Sequence, residues 1–497
     1  MLEYIKNEAN RTLTENGAVT HATTGSDCLD LFATVGALRS ADEAEIRRRF
    51  LRAYTEDPDL AMKTVFFARD VRGGLGERRV FRVCLRWLAG NAPASVRKNL
   101  PYVAEFGRWD DLLCLMGTPC ERDALACIRQ QLEADRNAMD TGGDISLLAK
   151  WLPSVNASSA ETVKAAKRIA RFLGMNDAAY RKILVQLRAR IRILEDQLRR
   201  RDYSFDYSKQ PSKAMFKYRK AFYRNDGERY GAFLRGVSRG EARLHANTLM
   251  PYELVAPYLG WNVFSRDNPS FMLPISEEEK KTLNATWASL PRFAPDENAL
   301  AVVDTSGSMY FGGSPLPAAV ALSLGLYFAE HNTGVFRNHF IEFSARPQLI
   351  EVKGDNFADR LRYAASFNEV ADTNLEAVFD LILNAAVRNH ISQAELPSTL
   401  YIISDMEFNR CIRNAGATNF ENAKARFAAH GYQLPGIVFW NVQSRQAQQP
   451  VTRNEQGVAL VSGCTPQLFG RVMDGCFSPT EYMLRVLRAE RYAKIAA

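Results

Sequence analysis

Residues 299–309 read Ala-Leu-Ala-Val-Val-Asp304-Thr-Ser306-Gly-Ser308-Met. An apolar run rich in Val and Leu stops at a carboxylate, and two hydroxyls follow at alternate positions. A buried strand that empties into such a loop offers one charged and two neutral oxygens, a ligand set suited to Mg²⁺ or Mn²⁺ that leaves positions open for water or another ligand. Short Ser/Asp loops also cap helices, so the neighbouring elements decide what this one is for.

Two of them supply more oxygen. Asp372-Thr373-Asn374 stands before an apolar-periodic segment (Leu375, Val378, Phe379, Ile382, Leu383), which places Thr373 in a loop at the start of a helix. Thr399-Leu-Tyr-Ile-Ile-Ser404 is a second buried-strand pattern and ends at Asp405. Strand ends on the carboxyl edge of a parallel sheet are where ligand sites gather, so Asp304, Ser306, Ser308, Thr373 and Asp405 are expected to converge there on a divalent cation. Their kind and order resemble the metal-ion-dependent adhesion site (MIDAS) of von Willebrand factor A domains. The elements around them agree with that resemblance. Helices are expected at Leu316–Ala329, Phe357–Ala365, after the Thr373 loop to about Asn389, at Phe420–Ala429, Pro466–Met473 and Pro479–Ile495. Strands are expected at His339–Phe343, Gln348–Val352, Thr399–Ser404, Gly436–Val442 and Gly457–Ser462. Such alternation predicts a doubly wound, mostly parallel α/β sheet over residues 296–497.

A chain of 497 residues exceeds what one core usually serves, so two domains are expected, 1–295 and 296–497. No run of about 18 apolar residues is present to span a membrane, and the polar start, Met-Leu-Glu-Tyr-Ile-Lys, lacks the order of a signal peptide. The eight cysteines, Cys28, Cys84, Cys114, Cys120, Cys127, Cys411, Cys464 and Cys476, form no Cys-x-x-Cys pair. They are expected to be reduced thiols of a cytoplasmic protein. Charge is divided unevenly. Residues 1–295 hold 47 Lys and Arg against 36 Asp and Glu, residues 296–497 hold 17 against 20, and residues 151–250 alone hold 22 against 9. That asymmetry points to a polyanionic partner for the first part.

The first part alternates helical patterns of about 12–18 residues with short Gly or Pro turns and shows little strand-like alternation, so an all-α, HEAT-like array is expected. The turn Arg72-Gly-Gly-Leu-Gly-Glu-Arg78-Arg79 lacks the P-loop pattern and a preceding strand. As the junction of two helices it would still present backbone N–H groups beside Arg72, Arg78 and Arg79, a place for a phosphodiester. A single basic helix is expected over Tyr180–Arg201. Ser212 should start another, running to about Asn225, with Met215, Tyr218 and Phe222 inward and Lys213, Lys217, Lys220 and Arg224 in one stripe outward. Like charges at that spacing repel by a few tenths of a kcal/mol per pair, and no carboxylate stands on the stripe. It suits a phosphate backbone.

A basic helical part followed by a von Willebrand A-like part resembles the Ro autoantigen (TROVE-module) family of RNA-binding proteins. Local phrases are similar to a related, poorly characterised family of the same plan: Thr23-Thr-Gly-Ser-Asp-Cys-Leu-Asp-Leu-Phe32, Arg69-Asp-Val-Arg-Gly-Gly-Leu-Gly-Glu-Arg78, Ala149-Lys-Trp-Leu-Pro-Ser154 and Pro211-Ser-Lys-Ala-Met-Phe-Lys217. The resemblance implies a ring of helical repeats closed by the A domain, with structured RNA outside and single-stranded ends reaching the central hole. The expected function is non-catalytic RNA binding as a ribonucleoprotein. The alternative is a metal-dependent protein-interaction scaffold whose open cation position takes an acidic side chain of a partner. A nuclease would need more carboxylates than Asp304 and Asp405 and a base beside them. None of His21, His245, His331, His339, His390 and His430 stands at ligand spacing from another.

Overall fold

The computed structural model describes residues 1–260, 271–293, 297–343, 345–367, 372–472 and 478–497; Cys476, Pro269 and Pro295 lie outside them. Its first part is built of α1 (Leu2–Ala9), α2 (Asp27–Thr34), α3 (Glu43–Glu56), α4 (Pro58–Arg69), α5 (Arg78–Asn91), α6 (Pro93–Phe106), α7 (Glu121–Asp140), α8 (Leu148–Trp151), α9 (Ala160–Phe172), α10 (Asp177–Ile191), α11 (Leu194–Arg199), α12 (Ser212–Ser238), α13 (Pro251–Val255) and α14 (Glu277–Ala288). Local chemistry sets the starts. Ser26, Asp57, Ser159 and Asn176 each accept a first-turn backbone N–H, and Pro58 fills the first position after Asp57. From α2 to α7 each helix packs on the next.

Three expectations change here. The region is not all-α, because β1 (Arg11–Leu13) and β2 (Val19–His21) form an antiparallel hairpin. Strands of three residues are too short to show alternation. Their outer partners are also remote, with Gly17 bridging to Asn409, Val19 to Thr418 and His21 to Gln449. The helix expected over Tyr180–Arg201 is broken where Arg192 turns left-handed at φ 54°, giving α10 and α11. Finally, α12 runs beyond Asn225 to Ser238, with a kink at Asp226.

The second part follows as β3 (Ala299–Asp304), α15 (Pro317–His331), β4 (His339–Phe343), β5 (Gln348–Glu351), α16 (Phe357–Ala365), α17 (Leu375–Arg388), β6 (Thr399–Ser404), α18 (Asn419–Ala429), β7 (Gly436–Asn441), β8 (Val458–Ser462), α19 (Phe469–Val472) and α20 (Pro479–Leu487). The sheet order is β5-β4-β3-β6-β7-β8. All its pairs are parallel except the edge hairpin β4–β5. The expected closing helix stops at Leu487 and resumes as a tight turn at Glu490–Tyr492. The one before it opens as a tight turn at Pro466–Leu468 and becomes α19, and its expected end at Met473 lies outside the described residues.

Side chains alternate across the sheet. Val302, Ile402, Phe439 and Leu460 face a cluster with Val378, Phe379 and Phe427 of α17 and α18. Ala301, Tyr401, Val438 and Trp440 face the other way, into an apolar cluster that runs from Cys28 through α4, α5 and α15 to Ile495. The helical part is therefore packed onto one face of the sheet. Its beginning rests on β8 and α20 through α2 and α4, and its end on α15 and α16 through α13 and α14. The contact at β8 is close: a Cβ on Gly36 would lie 2.5 Å from the Ser462 carbonyl oxygen, and Gly36 N donates to Ser462 Oγ at 3.0 Å.

Candidate metal centre and cationic surfaces

The parallel order of β3 and β6 brings their carboxyl ends side by side, and with them Asp304 and Asp405. Both carboxylates are buried. Asp304 Oδ1 accepts from Ser306 N at 2.8 Å and Oδ2 from Ser404 Oγ at 2.5 Å. Ser306 Oγ and Ser308 Oγ are 3.1 Å apart. Thr373 joins from the start of α17: its carbonyl accepts from Asn409 N at 2.8 Å and its N–H donates to Asn409 Oδ1 at 3.3 Å, which ties its loop to the one that follows Asp405. Asp304, Ser306, Ser308 and Asp405 thus stand at the carboxyl ends of β3 and β6, and Thr373 is held at the loop that follows Asp405.

Two observations test whether they fit a cation. Thr373 Oγ1 is buried and has no hydrogen-bond partner among the described residues. Burial and the adjacent Asp405 push the Asp304 carboxyl up to about 7, and burial also raises that of Asp405. Two buried carboxylates and a buried, unsatisfied hydroxyl are donors of the kind that a hard divalent ion takes. Among the described residues no three His, Cys, Asp or Glu side chains are grouped to hold a metal. Hydroxyls would supply the remaining ligands.

Three features of this edge escaped the sequence. Ser404 is the last residue of a strand pattern, and its hydroxyl orients Asp304. Arg445 comes from the loop after β7: its Nη2 lies 3.2 Å from Asp405 Oδ2 and its Nη1 2.9 Å from Glu15 Oε2. The β1–β2 hairpin delivers Glu15, whose N–H donates to the buried Glu407 at 2.7 Å. Thr14 Oγ1 also donates to Phe408 O at 2.6 Å. The alternation Asp405-x-Glu407 at a strand end was a signal for the last carboxylate; nothing in the chain order pointed to Arg445 or Glu15. A guanidinium thus already stands beside Asp405, where it partly neutralises the site and competes with a metal for that oxygen.

The cations expected to hold phosphate are placed unevenly. On α12, Lys213, Lys217, Lys220 and Arg224 are all exposed on one side. The stripe is not free of carboxylates, however: Lys213 pairs with Glu253 at 3.1 Å and Lys220 with Glu279 at 3.4 Å, both from other elements. Lys217 lies over the Tyr218 ring at 4.9 Å, and Arg224 has no ion-pair partner among the described residues. The Arg72–Arg79 turn offers no N–H cradle. Gly74 and Gly76 donate to Asp70 O, Leu75 to Phe67 O and Glu77 to Ala68 O, and a Cβ on Gly74 would sit 2.0 Å from Phe67 O. The turn instead holds the C-terminus, through Asp70 to Arg491 at 2.7 Å and to Tyr492 Oη at 3.0 Å. Arg72 donates to Glu105 O at 2.8 Å and Arg79 to Ala41 O at 2.6 Å. Arg78 alone of the three keeps its guanidinium free of hydrogen bonds and ion pairs among the described residues. Arg188 is likewise structural, donating to Ala149 O, Leu152 O and Ser154 Oγ at 2.8, 2.8 and 2.7 Å.

A family described as a domain of unknown function, DUF2828, matches residues 14–127 and 123–292, more than half of the chain. The chain belongs to the DUF2828 family. In this DUF2828 member a second domain of unknown function, DUF7788, matches residues 298–488, and the two matches meet where helices give way to the sheet. An uncharacterised protein of Acanthamoeba polyphaga mimivirus is 28% identical over 521 aligned positions, covering 96% of this chain and 87% of the relative. Among solved structures, the Ro (RSR) protein of Deinococcus radiodurans aligns with 94% of this DUF2828 chain and 100% of its own, at 14% identity and a TM-score of 0.49. Among the described residues no helix is long and apolar enough to cross a membrane.

Proposed function

We propose that this DUF2828 protein binds RNA without catalysing a reaction. Exposed cations of the helical part hold its phosphates. A Mg²⁺ or Mn²⁺ is held by Asp304, Ser306, Ser308, Thr373 and Asp405 in a von Willebrand A-like domain. The observation that carries this reading is the charge of the helical part. Residues 151–250 hold 22 cationic against 9 anionic side chains, and exposed members such as Lys217 and Arg224 stand without a carboxylate partner among the described residues. Like charges gathered on one surface repel, and a polyanion taken up there relieves the repulsion and releases its own counterions. The order of parts, helical and then α/β, agrees with the Ro-like resemblance read from the sequence. The metal, once bound, would neutralise the two buried carboxylates and present an open coordination position. In this reading Asp304, Asp405 and the hydroxyls beside them position a ligand at the metal.

Purified protein titrated with labelled RNA at increasing salt tests the reading. Binding should weaken steeply, with log K falling linearly in log salt at a slope of several, as phosphate contacts require. Absence of binding at about 0.1 M salt, together with chelator-sensitive binding of an acidic peptide, would replace it with the interaction scaffold.

A further inference from the structure

We propose that the outward face of α5, Arg78, Arg82 and Arg86 with Arg108 opposite, is a phosphate-binding site that seats backbone phosphates of RNA; the RNA part rests on the function proposed above. The helix reads Arg-Arg-Val-Phe-Arg-Val-Cys-Leu-Arg-Trp-Leu-Ala-Gly-Asn and contains no Asp or Glu. Arg78, Arg82 and Arg86 recur every fourth residue, so they lie about 40° apart in one ridge. Among the described residues the carboxylates that pair with this ridge come from the turn Trp109–Leu115, and those are already shared. Asp111, buried, accepts from Arg69 Nε at 2.8 Å, from Arg82 Nε at 2.7 Å and from Arg108 N at 2.9 Å. Asp110 takes the fork of Arg108 at 3.0 and 2.9 Å and lies 2.8 Å from Arg82 Nη2. Three guanidiniums, those of Arg69, Arg82 and Arg108, thus share two carboxylates.

Arg78 and Arg86 are both exposed, with no hydrogen-bond or ion-pair partner among the described residues. Partial burial, then the facing Arg108 and Arg82, hold Arg78 below the usual arginine range, a repulsion that an anion would relieve. The platform is rigid. Arg108 stacks on Trp151 at 3.9 Å, Lys150 lies 5.5 Å from the same ring, and the Arg188 clasp fixes the segment that carries both. Guanidinium forks in a fixed array match phosphate oxygens in pairs, and an aromatic among them is usual where single strands are held. On α12, by comparison, two of four cations already have carboxylate partners.

The test uses the full chain, a fluorescein-labelled 12-nucleotide oligouridylate and inorganic tripolyphosphate. The native protein should bind the oligonucleotide, with tripolyphosphate competing. Arg78→Gln/Arg86→Gln should bind at least about tenfold more weakly, with a salt slope shallower by roughly 1–2. The melting temperature should be unchanged, since neither side chain has a partner to lose. Lys217→Gln/Arg224→Gln should lose less. Binding of tripolyphosphate but not RNA, lost in the α5 variant, would keep the phosphate site and end the RNA reading. Native-like binding by the α5 variant, or a native protein that takes neither probe, would overturn the site.

Discussion

Asp111→Ala is expected to lower stability by about 4 kcal/mol, in the range for leaving a buried charge without its partner. Arg69 is 2% exposed and Asp111 is fully buried, and Asp111 is the one carboxylate that reaches this guanidinium among the described residues. The backbone is built around the pair: a Cβ on Gly107 would lie 2.4 Å from Asp111 Oδ2 and 2.8 Å from Arg69 Nε. Asp110, by contrast, is 18% exposed and pairs with Arg108 and Arg82 at the rim. Its replacement by Ala should cost about 1 kcal/mol, as for partly solvated pairs. Urea midpoints of the two variants measure the difference. Equal, small losses would mean that the Arg69–Asp111 pair does not anchor the turn from which Arg108 is presented.

Asp304→Asn should weaken Mn²⁺ binding by about 100-fold or more, since loss of a mere supporting group already costs about 10–100-fold. It should do so without destabilising the metal-free protein. In the absence of metal, Asp304 and Asp405 are buried acidic neighbours, and the amide keeps its oxygen for Ser306 N and turns its NH2 to the Ser404 hydroxyl while removing the repulsion. If Asp304 were only a loop cap, the same change would leave metal content alone and lower the melting temperature. Arg445→Ala separates the cases further. Freeing Asp405 Oδ2 from its guanidinium should tighten Mn²⁺ binding, whereas a site that holds no metal would show no change. Equilibrium dialysis with Mn²⁺ and a thermal melt in chelator read both quantities.

The sheet was legible because its strands are buried on both faces and say so locally: Ala299–Asp304 and Thr399–Ser404 carry their apolar runs to the residue where pairing ends. The five oxygens proposed to take the cation could be picked out for the same reason, each standing at the end of such a run or at the start of a helix. Groups brought in by tertiary contact were not. Arg445 and Glu15 meet only because the β1–β2 hairpin crosses to the loops after β6 and β7, and strands of three residues leave no period to read. The lysine stripe of α12 shows the converse. A helical wheel sees one helix, while Glu253 and Glu279 arrive from elsewhere. On α5 the spacing of Arg78, Arg82 and Arg86 was in plain view, but the glycines before it drew the phosphate reading to the turn, whose N–H groups the fold turns inward.

The most direct measurement is ultraviolet crosslinking of RNA to the protein in the cells that make it, followed by sequencing of the RNA and mapping of the crosslinked peptides. The account predicts a defined set of RNAs and adducts on peptides from the helical part, around residues 78–108 and 212–238. Recovery of the protein free of RNA, with partners that leave when metal is chelated, would contradict it.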